Sequence, residues 1–575
     1  MYLFHFFRSF LPLRNSVGFG ASDFVEIGIA ALLILLAFTR CWAEPFLRRL
    51  AKSTAASMIL LAGLPIALRL LLLSRCPTPT ADGSDDFSYL LLGDTLFHLR
   101  LANAPHLLHE FFETIFVLQE PSYSSIYPLG QGMALALGQL VFGNAWAGVL
   151  LSVGLLCALC YWMLRAWTTP AWSLAGGLLA VIEFGPLSSW TNSYWGGAVS
   201  GVAGCLVFGA LARLREGGRM RDAALVGIGI GLEALTRPFE AVLLTACVML
   251  FFAPMLWKPM NGGRGARSLA VALLGLAPAV GLTLTHNKSV TGSWTTLPYM
   301  VSRYQYGVPT SFTVQANPVP HRTLTRQQQL DYRAQSAIHG DTLDTFGRFT
   351  QRLAFRLRYY SFFFLAPLYL AALMFVITIR EWRFAWILVA LFVFALGTNL
   401  YPYFYPHYVA AVTCLCVLVS VKGLEWMSGV KVRGVAVGGQ ASRFILLVCA
   451  SQFLFWYGLH LLGTEDVWPA LGYETWDYIN YGDRDGRVAI NKELANASGK
   501  QLVFVRYWPR HKFQEWVHNA ADIDASRVVW ANDLGAVEDQ KLLDYFRNRK
   551  AWLLEPDAQP PRLTPYQSAS LTSHQ

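Results

Sequence analysis

Three carboxylates fall within five positions in the segment Ala81-Asp82-Gly83-Ser84-Asp85-Asp86-Phe87, directly after an apolar run. Neighbouring carboxylates raise one another's pKa, and a carboxylate lifted toward the working pH can take a proton from an acceptor hydroxyl. The same oxygens can hold a divalent cation. A plainer reading is a helix start, because Asp and Ser ahead of an apolar run satisfy the free N–H groups of a first turn. Spacing alone leaves both open.

Other polar groups gather where apolar runs end. Trp190-Thr191-Asn192-Ser193-Tyr194-Trp195-Gly196-Gly197 offers aromatic platforms and an amide at the mouth of a run, although interfacial belts also favour Trp and Tyr. In Thr236-Arg237-Pro238-Phe239-Glu240 almost no loop separates two apolar runs, so Arg237 and Glu240 sit near membrane depth and must face protein or a cavity. Arg237 is a candidate phosphate ligand, its planar fork matching phosphate oxygens; the alternative is an internal pair with Glu240 that only holds a helical hairpin. Tyr401-Pro402-Tyr403-Phe404-Tyr405-Pro406-His407-Tyr408 brings a histidine able to move a proton or bind phosphate, or simply to pack. The stretch from Arg303 to Arg358 is rich in arginine and can attract anionic headgroups or a lipid phosphate, or form a solvated helix face.

The elements that must hold these groups are transmembrane helices. Of 575 residues 54% are hydrophobic and 14% charged, against about a quarter charged in soluble domains. Apolar runs close to the roughly 20 residues of a bilayer crossing are expected at 24–39, 56–75, 144–164, 170–188, 197–213, 222–236, 239–256, 268–285, 359–379, 384–400, 406–421 and 443–462. The short connections carrying Arg48 and Arg49, Arg213 to Arg221, Lys258 to Arg267 and Lys422 to Arg443 are basic, which makes them cytoplasmic. The net charge of +10 is thereby a topology signal, and no nucleic-acid partner is expected. Cysteines such as Cys157 and Cys160 lie inside apolar runs and read as small core residues.

With this parity the larger segments 76–143, 286–358 and everything beyond about 463 share the outer side. The first apolar stretch fits less well, since it puts Arg8 and Arg14 outside and is short enough to lie in the interface. The expected organisation is an N-terminal segment (1–55), a mainly α membrane domain of about 11–12 spans (56–462), a small outer α/β domain (463–560) and a disordered tail (561–575). Within the α/β domain QLVFVRY and SRVVWAND read as buried strands and KLLDYFRNR as an amphipathic helix.

Taken together, the segments Asp85-Asp86-Phe87-Ser88-Tyr89-Leu90, Ser125-Ile126-Tyr127-Pro128-Leu129-Gly130-Gln131-Gly132, Asn192 to Ala198, Leu235-Thr236-Arg237-Pro238 and Val290-Thr291-Gly292-Ser293 followed by Leu297-Pro298-Tyr299 resemble the GT-C superfamily of integral membrane glycosyltransferases, in particular bacterial members related to glycosyltransferase family 39, the protein mannosyltransferase type. The acidic pair is Asp-Asp where many members have Asp-Glu, and an additional apolar run precedes the span that leads into it. The resemblance implies a polyprenyl-phosphate sugar as donor, a lipid, glycan or protein acceptor arriving from the outer side, and Asp85 or Asp86 as general base. It also implies substrate contacts from Asp82, Tyr127, Asn192, Tyr194, Trp195, Arg237, Glu240, Arg303 and His407, and a bacterial inner membrane with a periplasmic C-terminus. A divalent metal at the acidic motif is compatible with it, though no clear ligand set is present. The competing expectation is a transporter or flippase for lipid-linked solutes, which also carries many spans and a few intramembrane charges.

Overall fold

The structure, a computed structural model, describes residues 44–566 except 82, 257–261, 341–342, 463–485, 510 and 512–514, together with 31–32 and 35–36. Most of the expected first span and all of Asp82 lie outside the described residues. In chain order come α1 (Glu44–Lys52), α2 (Thr54–Leu71), α3 (Ser84–Phe97), the short strands β1 (Val117–Leu118) and β2 (Ser124–Ser125), α4 (Leu129–Phe142), α5 (Ala145–Leu164), α6 (Pro170–Phe184), α7 (Ala198–Arg215), α8 (Met220–Thr236), α9 (Pro238–Leu256) and α10 (Gly262–Thr291). They are followed by α11 (Pro298–Tyr306), α12 (Arg326–His339), α13 (Phe346–Arg356), α14 (Leu368–Phe375), α15 (Trp382–Thr398), α16 (Thr413–Ser428) and α17 (Gly438–Leu462).

Among the described residues six helices are long and apolar enough to cross a membrane: Thr54–Leu71, Ala145–Leu164, Ala198–Arg215, Gly265–Thr291, Pro406–Ser428 and Gly438–Gly458. Five shorter apolar helices join them, Leu129–Phe142, Pro170–Phe184, Pro238–Ala253, Leu368–Arg380 and Trp382–Thr398. The chain is a mainly helical integral membrane protein. Its central core interleaves Leu156, Phe184, Phe208, Trp386, Leu415 and Leu418, each essentially inaccessible. Lipid offers no hydrophobic drive between helices, so close approach through small residues has to supply packing energy. At Gly204 of α7 an added methyl would overlap the carbonyl oxygen of Ala411, so only glycine lets these backbones touch.

The segment 76–143 differs from a plain loop. It contains α3 and also α4, whose 14 residues fall short of the roughly 20 that a perpendicular crossing needs. α4 packs against both α3 and α5, while Met133, Leu137, Leu140, Val141 and Phe142 remain exposed on its far side.

The last described part holds β3 (Lys500–Val505), β4 (Val528–Asn532), β5 (Arg549–Glu555) and β6 (Arg562–Pro565) with helices α18 (Arg487–Asn496) and α19 (Ala536–Tyr545). The sheet order is β4-β3-β5-β6; β3 runs parallel to both neighbours and β6 closes the edge antiparallel to β5. As the central parallel strand, β3 is covered on both faces, which is why Leu502, Val503, Phe504 and Val505 form an unbroken apolar run. One face packs with Ile490, Leu494, Trp516 and Trp530, and the other joins a core with Leu91, Phe111, Phe112 and Tyr123 of the first large loop. Polar ties reinforce that seam: the Tyr123 hydroxyl donates to the Asn519 carbonyl at 3.0 Å, and the Ala521 N–H donates to Asp94 Oδ2 at 2.7 Å. Arg562–Pro565, expected to belong to the tail, complete the sheet, and 567–575 lie outside the described residues.

Candidate active site

Three local rules bring the polar groups together. Gly83, in extended conformation, precedes α3, so Asp85 and Asp86 occupy the first turn, where unpaired N–H groups and the helix dipole favour negative charge. Neither caps the helix by a side-chain hydrogen bond, because the capping position is Gly83 itself. Pro238 forbids helical geometry in the residue before it and starts α9 in the first-turn position proline tolerates. Arg237 is therefore extended, with φ −145° and ψ 88°, between two helices. Pro402 and Pro406 keep the chain after α15 irregular, and that stretch projects Tyr401, Tyr403, Tyr405 and Tyr408 toward the same place.

These segments enclose a cavity of about 560 Å³, within the 300–1,000 Å³ range of small-molecule sites. Asp85, Asp86, Tyr127, Trp195, Arg237, Glu240, Arg303 and His407 all line it, alongside Tyr89, Tyr299, Thr310, Phe312 and Gln335. Asp85 is half-buried and accepts a hydrogen bond from the Tyr127 hydroxyl. Tyr127 is in turn stacked on Tyr89, four residues after Asp85 on α3, with ring centres 4.3 Å apart. Burial pushes the Asp85 carboxyl above the ordinary carboxylate range, while the Tyr127 hydroxyl and the nearby Arg237 charge pull it down. Asp86 is more deeply buried, and its Oδ1 accepts the Tyr194 N–H at 2.8 Å.

On the opposite wall the Arg237 guanidinium lies 4.7 Å from the Tyr408 ring centre and 3.6 Å from Glu240 Oε1. The Tyr401 hydroxyl donates to Glu240 Oε2 at 3.3 Å. Arg303 is more committed, its Nε and Nη2 donating to the Pro309 and Thr310 carbonyls at 3.1 Å each. His407 is buried and packs at 5.1 Å from Trp195 and 5.5 Å from Tyr405, ring centre to ring centre.

Two of the expected substrate contacts do something else. Asn192 accepts from Arg69 Nε at 2.8 Å and donates to the Pro186 and Ser188 carbonyls, which ties the ends of α2 and α6 together away from the cavity. Tyr194 contributes its backbone N–H to Asp86 and sends its hydroxyl to the Pro79 carbonyl at 2.9 Å. The turn that places them requires Gly196, at φ +76° with the Gln131 side chain where a Cβ would stand. The tyrosines at 401, 403, 405 and 408 and residues Phe312 and Gln335 extend the site beyond the sequence expectation. The proline-punctuated Tyr401–Tyr408 run was the available signal for the tyrosines; nothing marked Gln335.

Among the described residues no group of three or more His, Cys, Asp or Glu side chains is placed to hold a metal ion.

Fold and cavity together define a polytopic membrane protein whose helices and loops enclose a chamber lined by carboxylates, arginines and tyrosines. No family model matches the chain, and no curated protein does. Among solved structures it is similar to ArnT from Cupriavidus metallidurans in the apo state, at 13% identity over 88% of this chain and 93% of that chain with a TM-score of 0.46. The same protein bound to undecaprenyl phosphate matches at 11% identity, 86% and 92% coverage and a TM-score of 0.46. The archaeal oligosaccharyltransferase AglB from Archaeoglobus fulgidus, in complex with an inhibitory peptide and a dolichol-phosphate, matches at 12% identity, 90% and 70% coverage and a TM-score of 0.37.

Proposed function

We propose that this chain is a GT-C glycosyltransferase that moves a sugar from a polyprenyl-phosphate donor to an acceptor hydroxyl, on the outer, periplasmic side of a bacterial inner membrane. The observation that carries this reading is the juxtaposition, in one chamber beside apolar helices, of a half-buried carboxylate, an extended arginine and stacked aromatic rings. Asp85 is the general base: Asp86 is held by a backbone N–H, whereas Asp85 faces the chamber with its pKa lifted by burial. The acceptor oxygen attacks the anomeric carbon, its proton passes to Asp85, and the bond from that carbon to the phosphate oxygen breaks with its electron pair leaving on the polyprenyl phosphate. Arg237 meets the charge that develops there. The chamber's tyrosines and Trp195 give flat faces and hydroxyls against which a sugar ring packs. Asp82, outside the described residues, belongs to the same motif.

The test is transfer of radiolabelled sugar from a panel of polyprenyl-phosphate sugars by membranes holding matched amounts of wild type, Asp85→Asn or Asp86→Asn. Wild type is expected to transfer from at least one donor, and Asp85→Asn to lose roughly 10²–10⁴-fold, the contribution of a positioned base. Background signal for the wild type with every donor would sink the enzyme reading in favour of a transporter; a loss confined to Asp86→Asn would move the base by one residue.

A further inference from the structure

Glu240 sits where a phosphate ligand would compete with it. It is 1% exposed, yet it lines the chamber, and its Oε1 has no hydrogen-bond partner. Its approach to Arg237 Nη1 is 3.6 Å, longer than the 2.7–3.2 Å of a formed N–H···O bond. The Tyr401 hydroxyl donates to the other oxygen at 3.3 Å, on the side away from the open Oε1 contact. One turn before Arg237, Glu233 is fully buried with Oε1 taken by the Ser200 hydroxyl and Oε2 unpartnered. A purely structural ion pair buried this deeply is expected to close fully and to satisfy all its oxygens; here the pair stands at 3.6 Å, and one oxygen of each carboxylate is left over.

Resting on the glycosyltransferase reading above, we propose that Glu240 is an exchangeable counter-ion that expels the polyprenyl-phosphate product. While lipid phosphate is bound, Arg237 faces it and Glu240 stays with Tyr401. As the phosphate departs, Glu240 recaptures Arg237, which lowers the free energy of the emptied state and raises the rate of release. A ligand shifts such an equilibrium only by its difference in affinity for the two states, and Glu240 supplies that difference by stabilising the empty one.

The experiment measures binding of undecaprenyl phosphate to the full chain in nanodiscs, together with turnover. Glu240→Gln keeps the shape and removes the charge; it is expected to bind the lipid phosphate roughly tenfold or more tightly, the scale of one hydrogen bond to a charged group. Its time course should show a first-turnover burst followed by a slow steady state. Glu240→Asp, which keeps the charge, should move back toward wild type. Tyr401→Phe frees the carboxylate to close on Arg237 and should weaken binding severalfold, the opposite sign. Unchanged or weaker binding in Glu240→Gln, with Arg237→Gln still losing the lipid, would overturn the release role and leave the glycosyltransferase reading standing. Absence of lipid-phosphate binding and of transfer in the wild type would remove both.

Discussion

Two arginines near membrane depth, the buried Arg69 in the knot between α2 and α6 and the half-buried Arg237 in the chamber wall, face a similar physical problem and solve it in opposite ways. Arg69 is 1% exposed, and each arm of its fork is used: Nε to Asn192, Nη1 to the Cys76 carbonyl and Nη2 to the Pro77 carbonyl, all at 2.8–2.9 Å, with its plane over Trp146 at 4.9 Å. Arg237 has an aromatic neighbour as well, but its carboxylate stays 3.6 Å off. A cation with each of its three nitrogens committed to protein is a rivet. A cation held loosely beside a cavity keeps donors for a guest, and the unsatisfied oxygens of Glu233 and Glu240 around it carry the same mark.

The contrast breaks most sharply at Arg69. Arg69→Met would strand two buried acceptors, Asn192 Oδ1 and the Cys76 carbonyl, at about 1–3 kcal/mol each, so thermal unfolding of the solubilised protein should shift by many degrees and little folded protein should accumulate. A stable, fully folded Arg69→Met would show that satisfied hydrogen bonds are no guide to structural weight here. Arg237→Gln is the mirror case: transfer should fall roughly 10²–10³-fold, as when a charge-stabilising donor is removed, while the unfolding midpoint stays near wild type. A large stability loss with transfer per folded molecule preserved would make Arg237 a rivet too.

The smallest effect concerns a buried acid outside the membrane helices. Glu515 is 3% exposed in the seam between the C-terminal domain and the first loop, with Thr114 and Ile115 as donors. Burial first and then the neighbouring Asp331 push it up from 4.5 to about 8, against the hydrogen bonds that lower it. The native state therefore keeps a proton that the unfolded chain releases above about 4.5, so its contribution to stability is present below that pH and is lost as pH rises toward 8. Across that window the unfolding midpoint of wild type should drop further than that of Glu515→Gln. Parallel curves would mean that Glu515 does not titrate between the two states.

The sequence made the membrane helices legible because hydropathy and basic loops are summed over many residues. Helix α4 escaped since its 14 residues look like an apolar stretch of loop, and only packing on α3 and α5 distinguishes it. At the site, Asp85 and Arg237 stood out in the sequence because a carboxylate cluster, or a charge beside a proline near membrane depth, demands an explanation, whereas Tyr127 entered only through the family resemblance. Asn192 shows what sequence leaves open: an amide at a helix mouth has the same appearance whether it waits for a sugar or, as here, bonds Arg69, which is 123 residues away. Strands β3 and β4 and part of α19 followed from periodicity. Strand β6 did not, because four residues, Arg562–Pro565, acquire strand character only from the β5 edge they cover.

The seam between α3 and the C-terminal sheet also has a temporal meaning. The helix bearing Asp85 leaves the ribosome long before its partners exist, since Asp94 and Ala521 are 427 residues apart and His106 and Asp524 are 418 apart. At a synthesis rate of roughly 5–20 residues per second, that gap lasts on the order of 20–85 s. Through that interval Leu91, Phe111 and Phe112 have no sheet to cover them, and a nascent chain already threaded into the bilayer carries an open apolar face that only the C-terminal sheet can cover.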